Sequence, residues 1–226
     1  MQATRPSVLR HGQPNCLHPV YRRTPPELHL SFLSGIRNKI APTARPIRKQ
    51  LGVVGKARRK AHFLRDGIEG IAMELRTTTN QHAEILREFG ASVGTGCSIY
   101  TPLHIVNADG DFSRLVIGDH VHLGADVLID LADAVTIETE ATISMRCTLV
   151  THIDVGPGRL KERRPRKTGP VRVGAGAYLG AGVTVLHGVT IGEQATLGAH
   201  ALVDRDVAAH ATVVSPRAGP PSAGGG

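Results

Sequence analysis

The sequence is poor in aromatic residues, which make up 3% of its 226 residues, and it contains no tryptophan. Large globular cores usually use Phe or Trp to fill space. The scarcity of both argues against such a core and indicates one built from Val, Ile, Leu and Ala. Small aliphatic side chains suit thin layers that repeat along the chain.

Marks of a secreted or membrane-spanning protein are also missing. The three cysteines, Cys16, Cys97 and Cys147, are widely spaced and odd in number, which argues against a disulfide framework. No apolar run approaches about 18 residues, and no charged-then-apolar signal segment opens the chain. A cytoplasmic protein is therefore expected.

Acidic residues are absent from residues 28–65, whereas ten Lys and Arg residues lie between Arg37 and Arg65. The formal net charge of +8 thus belongs to the front of the chain. Such a basic segment fits contact with an anionic membrane surface, contact with nucleic acid, or a solvated arm. Because interleaved aromatic residues and a clean amphipathic pattern are both missing, the solvated arm is the favoured reading, and nucleic acid is not expected as a partner.

A strict period of six residues runs from residue 173 to residue 208. Aliphatic residues recur at Val173, Leu179, Val185, Ile191, Leu197 and Val203. A helix with 3.6 residues per turn does not keep a period of six on one face, whereas short strands in stacked coils do. The pattern predicts a mainly β solenoid whose aliphatic residues point inward. Glycine follows four of them and is expected to supply the dihedral angles of the corners.

Weaker repeats extend the pattern back to Val93. The segment Asn107–Arg114 interrupts them as a surface loop, and the period slips by two residues between Ile129 and Ile137. Val155 is the last expected inward residue before a longer insertion at 156–170, which contains six basic residues and one acidic residue. A solenoid can extrude such a loop from one corner without disturbing its layers.

These patterns divide the chain into four segments. They are a disordered arm (1–30), a basic and partly helical extension (31–90), the solenoid domain (91–217) and a disordered tail (218–226). Within the extension, helices are predicted over residues 47–64, 66–74 and 82–89, and the last of them ends at Gly90.

A histidine stands at the mouth of the basic insertion, in Thr151-His152-Ile153-Asp154. The repeat places Leu149 and Ile153 inward, so His152 is expected to face outward at a corner. Histidine is the side chain that works as a general base near neutral pH. Asp154, two residues further on, is the candidate carboxylate to orient the ring.

The repeats, the segment LVTHIDVG, the loop after it and the run VRVGAGAYLGAGVTVLHGVTIGEQATLGAHALVDRDV resemble the hexapeptide-repeat acyltransferases. The most similar branch is that of the maltose, galactoside, virginiamycin and colanic-acid O-acetyltransferases. The resemblance covers roughly residues 93–217. It implies a left-handed parallel β-helix, a homotrimer with active sites between subunits, and acetyl-CoA as the acyl donor without a metal.

The resemblance also implies roles for individual residues. His152 matches the essential histidine, which takes a proton from a hydroxyl or amine of a saccharide or another small metabolite. The coenzyme contacts of the family match Ala181, Ala199, Arg205 and Arg217. Arg146 matches an asparagine that contacts the acceptor, and this difference suggests a different, anionic acceptor. The basic residues of the 156–170 loop have three readings: they contact the acceptor, contact the coenzyme phosphates, or form a solvated tip.

Two other classes of function are compatible with a solenoid. One is a trimeric scaffold without catalysis, whose basic front segment recruits a membrane or an anionic partner. The other is a zinc enzyme of the γ-carbonic anhydrase type, which requires three histidine ligands. The residue five positions after His152 is Pro157, so the paired ligand of that family is missing.

Overall fold

A computed structural model describes residues 55–215 of the chain. The predicted arm at 1–30, the first part of the basic extension, Arg217 and the tail at 218–226 lie outside the described residues. The membrane-facing role suggested for the basic segment therefore stays a prediction. Within residues 55–215, no helix combines the length and the apolar character that crossing a bilayer requires.

Short parallel strands form three sheets around a common core. The first sheet contains β1 (Ser92–Val93), β4 (Leu115–Ile117), β7 (Val135–Ile137), β12 (Val171–Val173) and β15 (Thr190–Ile191). The second contains β2 (Ser98–Ile99), β5 (His122–Leu123), β8 (Thr142–Ile143), β13 (Tyr178–Leu179), β16 (Thr196–Leu197) and β18 (Thr212–Val213). The third contains β3 (Leu103–Val106), β6 (Val127–Asp130), β9 (Thr148–Leu149), β14 (Thr184–Val185) and β17 (Leu202–Val203).

Each coil of the chain contributes one strand to each sheet, which makes about five coils. Strands in successive coils pair in register, as Val173 with Ile191 and Leu179 with Leu197 show. These aliphatic side chains are fully buried. Burial of one such side chain stabilises the fold by about 1.5–3 kcal/mol. The mainly β solenoid predicted from the period of six is confirmed.

The glycines that follow the inward aliphatic residues have a different role from the one expected. A Cβ atom at Gly118 would lie 2.5 Å from the amide nitrogen of Thr139 in the next coil. The left-handed backbone angles fall two residues later, as at Gly182, Asp126 and Arg146. Glycine therefore allows adjacent coils to approach closely, and corner residues of several types adopt the positive φ.

Two helices close the open end of the first coil. Helix α1 spans residues 55–74 of the described chain, and α2 spans His82–Glu88. Buried side chains of this region, among them Ile71, Leu75, Ile85 and Leu86, join the core of the solenoid. The amide of Leu103 donates to the Leu75 carbonyl at 3.3 Å, and the amide of Phe112 to the Phe89 carbonyl at 2.8 Å. This part of the basic extension is a packed cap, which terminal coils of solenoids need.

The long insertion leaves the column earlier than the repeat predicts. Ile153 is 39% exposed and Val155 is half-buried, so neither is the inward residue that was expected. The chain leaves the coil after Thr151 and rejoins it at Val171. Between them lie β10 (His152–Ile153), the single turn α3 (Leu160–Arg163) and β11 (Lys167–Thr168), which pairs antiparallel with β10.

Candidate active site

His152 lies where the insertion leaves the solenoid. It is the first residue of β10 and pairs with Thr168 on the returning strand. The amide of Gly169 donates to the Thr151 carbonyl at 2.9 Å, which closes the base of the loop. The imidazole is 25% exposed. The ring is thus held by a paired backbone and still reaches solvent at a corner, as predicted.

The carboxylate on the ring belongs to Asp130, at the end of β6 in the preceding coil. Its Oδ2 atom lies 2.5 Å from Nδ1 of His152, and its side chain is only 3% exposed. An ionised carboxylate accepts hydrogen bonds and cannot donate them, so Nδ1 carries the proton in this contact. That tautomer leaves Nε2 as the basic nitrogen of the ring.

Several donors hold the Asp130 carboxylate in place. The side-chain amide of Asn107 donates to Oδ1 at 2.7 Å, the backbone amide of Ala132 donates to Oδ1 at 3.2 Å, and the backbone amide of Thr151 donates to Oδ2 at 2.9 Å. Burial acts to raise the pKa of Asp130, but the hydrogen bonds from Asn107, His152 and the two amides outweigh it and lower the pKa to about 2. Asp130 is therefore ionised throughout the physiological range.

Asp154 does not occupy the orienting position that the sequence suggested. Its side chain is exposed, and its Oδ1 atom accepts a hydrogen bond from the amide of Gly156 at 2.8 Å. Strand β10 ends at Ile153, so the chain turns at once and Asp154 bonds within the start of the loop. Sequence reasoning missed Asp130, which lies directly after the inward Ile129 and before the slip of two residues, where the neighbouring coils have Val106 and Val150.

Arg146 lies at a different corner, between the second and third sheets. Its guanidinium is 76% exposed, and Nε lies 3.7 Å from Oδ2 of Asp126. The other oxygen of Asp126 lies 2.9 Å from Nε2 of His104. These three side chains form an exposed polar row across three successive coils, which is suited to hydrogen bonding with a polar ligand.

Ala181 and Ala199 continue that corner into the last two coils. The amide of His200 donates to the Ala181 carbonyl at 2.8 Å, so the two alanines stack on one edge. A Cβ atom at Gly180 would lie 2.7 Å from the amide nitrogen of Ala199, which shows how closely these coils approach. The two alanines present only methyl groups at this edge, and the exposed ring of His200 lies beside them, over Gly182.

Arg205 lies at the corner after β17, away from the two alanines. It is 84% exposed, and its Nε donates to Oδ1 of Asp204 at 2.9 Å. This hydrogen bond raises the pKa of Arg205 and lowers the pKa of Asp204. The candidate residues of one chain are therefore divided between two edges of the third sheet. Arg146, Ala181 and Ala199 lie on one edge, and His152 and Arg205 on the other.

The described residues do not bring together a set of side chains that could bind a metal ion. Among residues 55–215, no three His, Cys, Asp or Glu side chains converge on a common point. His120 is exposed and His122 half-buried at a different corner from His152.

One family model matches the sequence. It is described as the bacterial transferase hexapeptide (six repeats), and it covers residues 170–205. No curated protein matches the chain. The matched residues begin directly before β12 and continue through the regular coils, where the period of six is strict.

Solved structures share the fold. A hexapeptide-repeat acetyltransferase from Vibrio cholerae is 20% identical, with a TM-score of 0.57 over 64% of this chain and 81% of that one. A galactoside acetyltransferase in complex with coenzyme A is 20% identical, with a TM-score of 0.56 over 65% and 74%. A maltose O-acetyltransferase from Clostridium difficile 630 is 18% identical, with a TM-score of 0.50 over 65% and 79%. The fold implied by the sequence resemblance is thereby confirmed.

Proposed function

We propose that this protein is an acyl-CoA-dependent acyltransferase of the hexapeptide-repeat type. We infer that it moves an acetyl group to a hydroxyl or amine of a saccharide or another small metabolite. One observation carries the proposal: a corner histidine whose Nδ1 is bound to a buried, ionised carboxylate and whose Nε2 is left as the base. The solved structures of similar fold that hold coenzyme A or acetyl-coenzyme A support the choice of donor.

His152 acts as the general base in this proposal. Its Nε2 atom accepts the proton of the acceptor O–H or N–H while the acceptor atom bonds to the acyl carbon. Acetyl-coenzyme A, when bound, supplies the thioester carbonyl carbon that the acceptor oxygen or nitrogen attacks. The carbon–sulfur bond breaks, and the imidazolium returns its proton to the departing thiolate. Asp130 stays ionised, keeps the ring tautomer and stabilises the transient positive charge.

The strip beside Ala181 and Ala199 fits the coenzyme. Both side chains are small, so the coenzyme could lie close to the backbone of the coils, with the exposed ring of His200 at its side. Backbone amides and carbonyls at the corners offer hydrogen bonds to an extended, amide-bearing arm. To contact a phosphate of the coenzyme, Arg205 would have to give up its hydrogen bond to Asp204. The proposed contact from Arg217 lies outside the described residues and stays a prediction.

The separation of the two edges supports assembly into a homotrimer. Arg146 precedes β9 and His152 follows it, so the strip of one chain and the histidine of the same chain lie on different edges of the third sheet. A second copy that faces this sheet would bring its own edge to His152. Arg146, with His104 and Asp126, then becomes the candidate contact for the acceptor.

The test compares His152→Ala with the control His120→Ala. Both variants lose one surface imidazole from a coil corner, but only the first loses the proposed base. Release of free thiol from acetyl-coenzyme A is measured with a panel of hexoses, amino sugars and primary amines, and assembly is measured by sedimentation. We expect His152→Ala to reduce turnover by about 10²–10⁴-fold, with unchanged assembly and unchanged affinity for coenzyme A by calorimetry. Equal turnover by both variants would contradict the assignment.

A further inference from the structure

The basic insertion encloses a cavity on the side of the hairpin away from the imidazole. The cavity has a volume of about 610 Å³, within the range of small-molecule sites. Three cations line it: Arg163, Arg164 and Lys167. Its apolar wall is formed by Ile153, Leu160 and Pro165. Because β10 and β11 are paired strands, neighbouring residues point to opposite faces, which places Ile153 and Lys167 opposite His152 and Thr168.

The solenoid itself forms the floor of this cavity. His187, at the corner after β14, is one of its lining residues. The returning strand is pressed onto the same corner, because a Cβ atom at Gly169 would lie 2.8 Å from the backbone nitrogen of Gly188. The amide of Gly169 is also bound to Thr151. The cavity is therefore bounded by anchored backbone on one side and by the loop on the other.

The cations that line the cavity have no acidic partner among the described residues. In residues 55–215, none of the six Lys and Arg residues of the insertion lies within 4.0 Å of a carboxylate oxygen. Arginines elsewhere on the solenoid do have one, as Arg172 with Glu138 and Arg114 with Asp109 show. Like charges crowded around a cavity repel one another unless a bound anion neutralises them.

We propose that this cavity is a binding site for a phosphorylated ligand. Two guanidinium groups and one ammonium match the geometry and charge of phosphate oxygens, which arginine binds in a bidentate manner. The apolar wall suits the organic part that carries the phosphate. The ligand is either the phosphorylated end of coenzyme A or a phosphate group on the acceptor. The anion site follows from its own geometry, and only its link to acyl transfer rests on the proposed function.

The insertion supplies a matched control for the test. The variant R163Q/R164Q/K167Q removes the three cations that line the cavity. The control R159Q/K161Q/R166Q removes three cations from the same exposed insertion that do not line it. Both variants carry the same net charge. Any difference in ligand affinity between the two variants therefore depends on where the cations lie and not on the net charge of the protein. Circular dichroism and the thermal midpoint establish that both retain the solenoid.

Calorimetric titration with inorganic pyrophosphate is the first measurement. We expect the lining variant to raise the dissociation constant at least about a hundredfold, since each charge-assisted hydrogen bond contributes roughly tenfold. The control should stay within about threefold of the unmodified protein. No pyrophosphate binding by the unmodified protein, or an equal loss in both variants, would overturn the proposal.

Titration with coenzyme A then identifies the source of the phosphate. If coenzyme A displaces pyrophosphate and binds the lining variant more weakly, the cavity takes the coenzyme phosphates. If both ligands bind together and the affinity for coenzyme A is unchanged, the cavity takes the acceptor phosphate. Pyrophosphate binding without any acyl transfer would remove the proposed function but keep this site. Acyl transfer without pyrophosphate binding would support the proposed function and overturn this site.

Discussion

Replacement of Asp130 by asparagine is the most informative single perturbation of the candidate site. The substitution keeps the size of the side chain and removes its charge. The folded protein lowers the pKa of this carboxyl from 3.8 to about 2, which corresponds to about 2 kcal/mol of stability at neutral pH. Because Asp130 is almost fully buried, little of this is lost to solvent screening. We expect Asp130→Asn to lower the free energy of unfolding by about that amount at pH 7.

The pH dependence of this loss has a definite sign. A carboxyl whose pKa is lower in the folded state contributes its stability fully above its unfolded pKa and loses it as the pH falls toward the folded value. The difference between the two proteins should therefore be constant from pH 7 to about pH 5 and shrink between pH 4 and about pH 2. Urea unfolding at equal protein concentration measures it. A difference independent of pH would refute the proposed ionisation of Asp130.

The same substitution should impair catalysis through the ring of His152. Without the carboxylate on Nδ1, the tautomer and orientation of the imidazole are no longer specified, and we expect turnover to fall by about 10²–10⁴-fold. Asp154→Asn is the matched control, because that side chain bonds only to the loop amide of Gly156. A larger loss of turnover with Asp154→Asn than with Asp130→Asn would mean that the wrong carboxylate has been assigned to the ring.

Two further predictions concern stability. Gly118→Ala should lower the free energy of unfolding by about 1–3 kcal/mol, because its Cβ would lie 2.5 Å from Thr139, whereas Gly158→Ala meets nothing within 4 Å and should be near neutral in thermal unfolding. Burial lowers the pKa of His82, so protonation on unfolding should weaken the cap as the pH falls below about 6.5. His82→Gln, which keeps a donor for the Leu75 carbonyl, should make urea unfolding less dependent on pH between 7 and 5; an unchanged dependence would contradict the role of His82.

Individual residues show where sequence reasoning reached the structure and where it stopped. The inward set from Val173 to Val203 follows from a period that neighbouring residues impose on one another. The inward assignment of Ile153 was wrong because it assumed that the period continues through the mouth of the insertion, and that of Asp154 was wrong because it rested only on closeness in sequence to His152. The chain leaves the column directly after Thr151, and the phase of the repeat no longer applies there.

The coil-to-coil offset explains why Asp130 was missed. Thr151 lies beside Asp130 because of the slip of two residues between Ile129 and Ile137, which sets how these two coils stack. The period identifies the inward residues of each coil, but it does not show which polar side chain at a corner reaches the neighbouring coil. The sequence does not show the close approach of the coils at the glycines either, because that approach depends on backbone atoms of the next coil.

The sequence by itself determined the solenoid, its inward aliphatic residues and the presence of a histidine at an extruded loop. These are properties of short segments whose side chains alternate between core and solvent. The tertiary structure decided which carboxylate meets that histidine, how the helices close the first coil and where the loop cations gather around a cavity. Each of these depends on residues that are distant in the chain and become neighbours only when the layers stack.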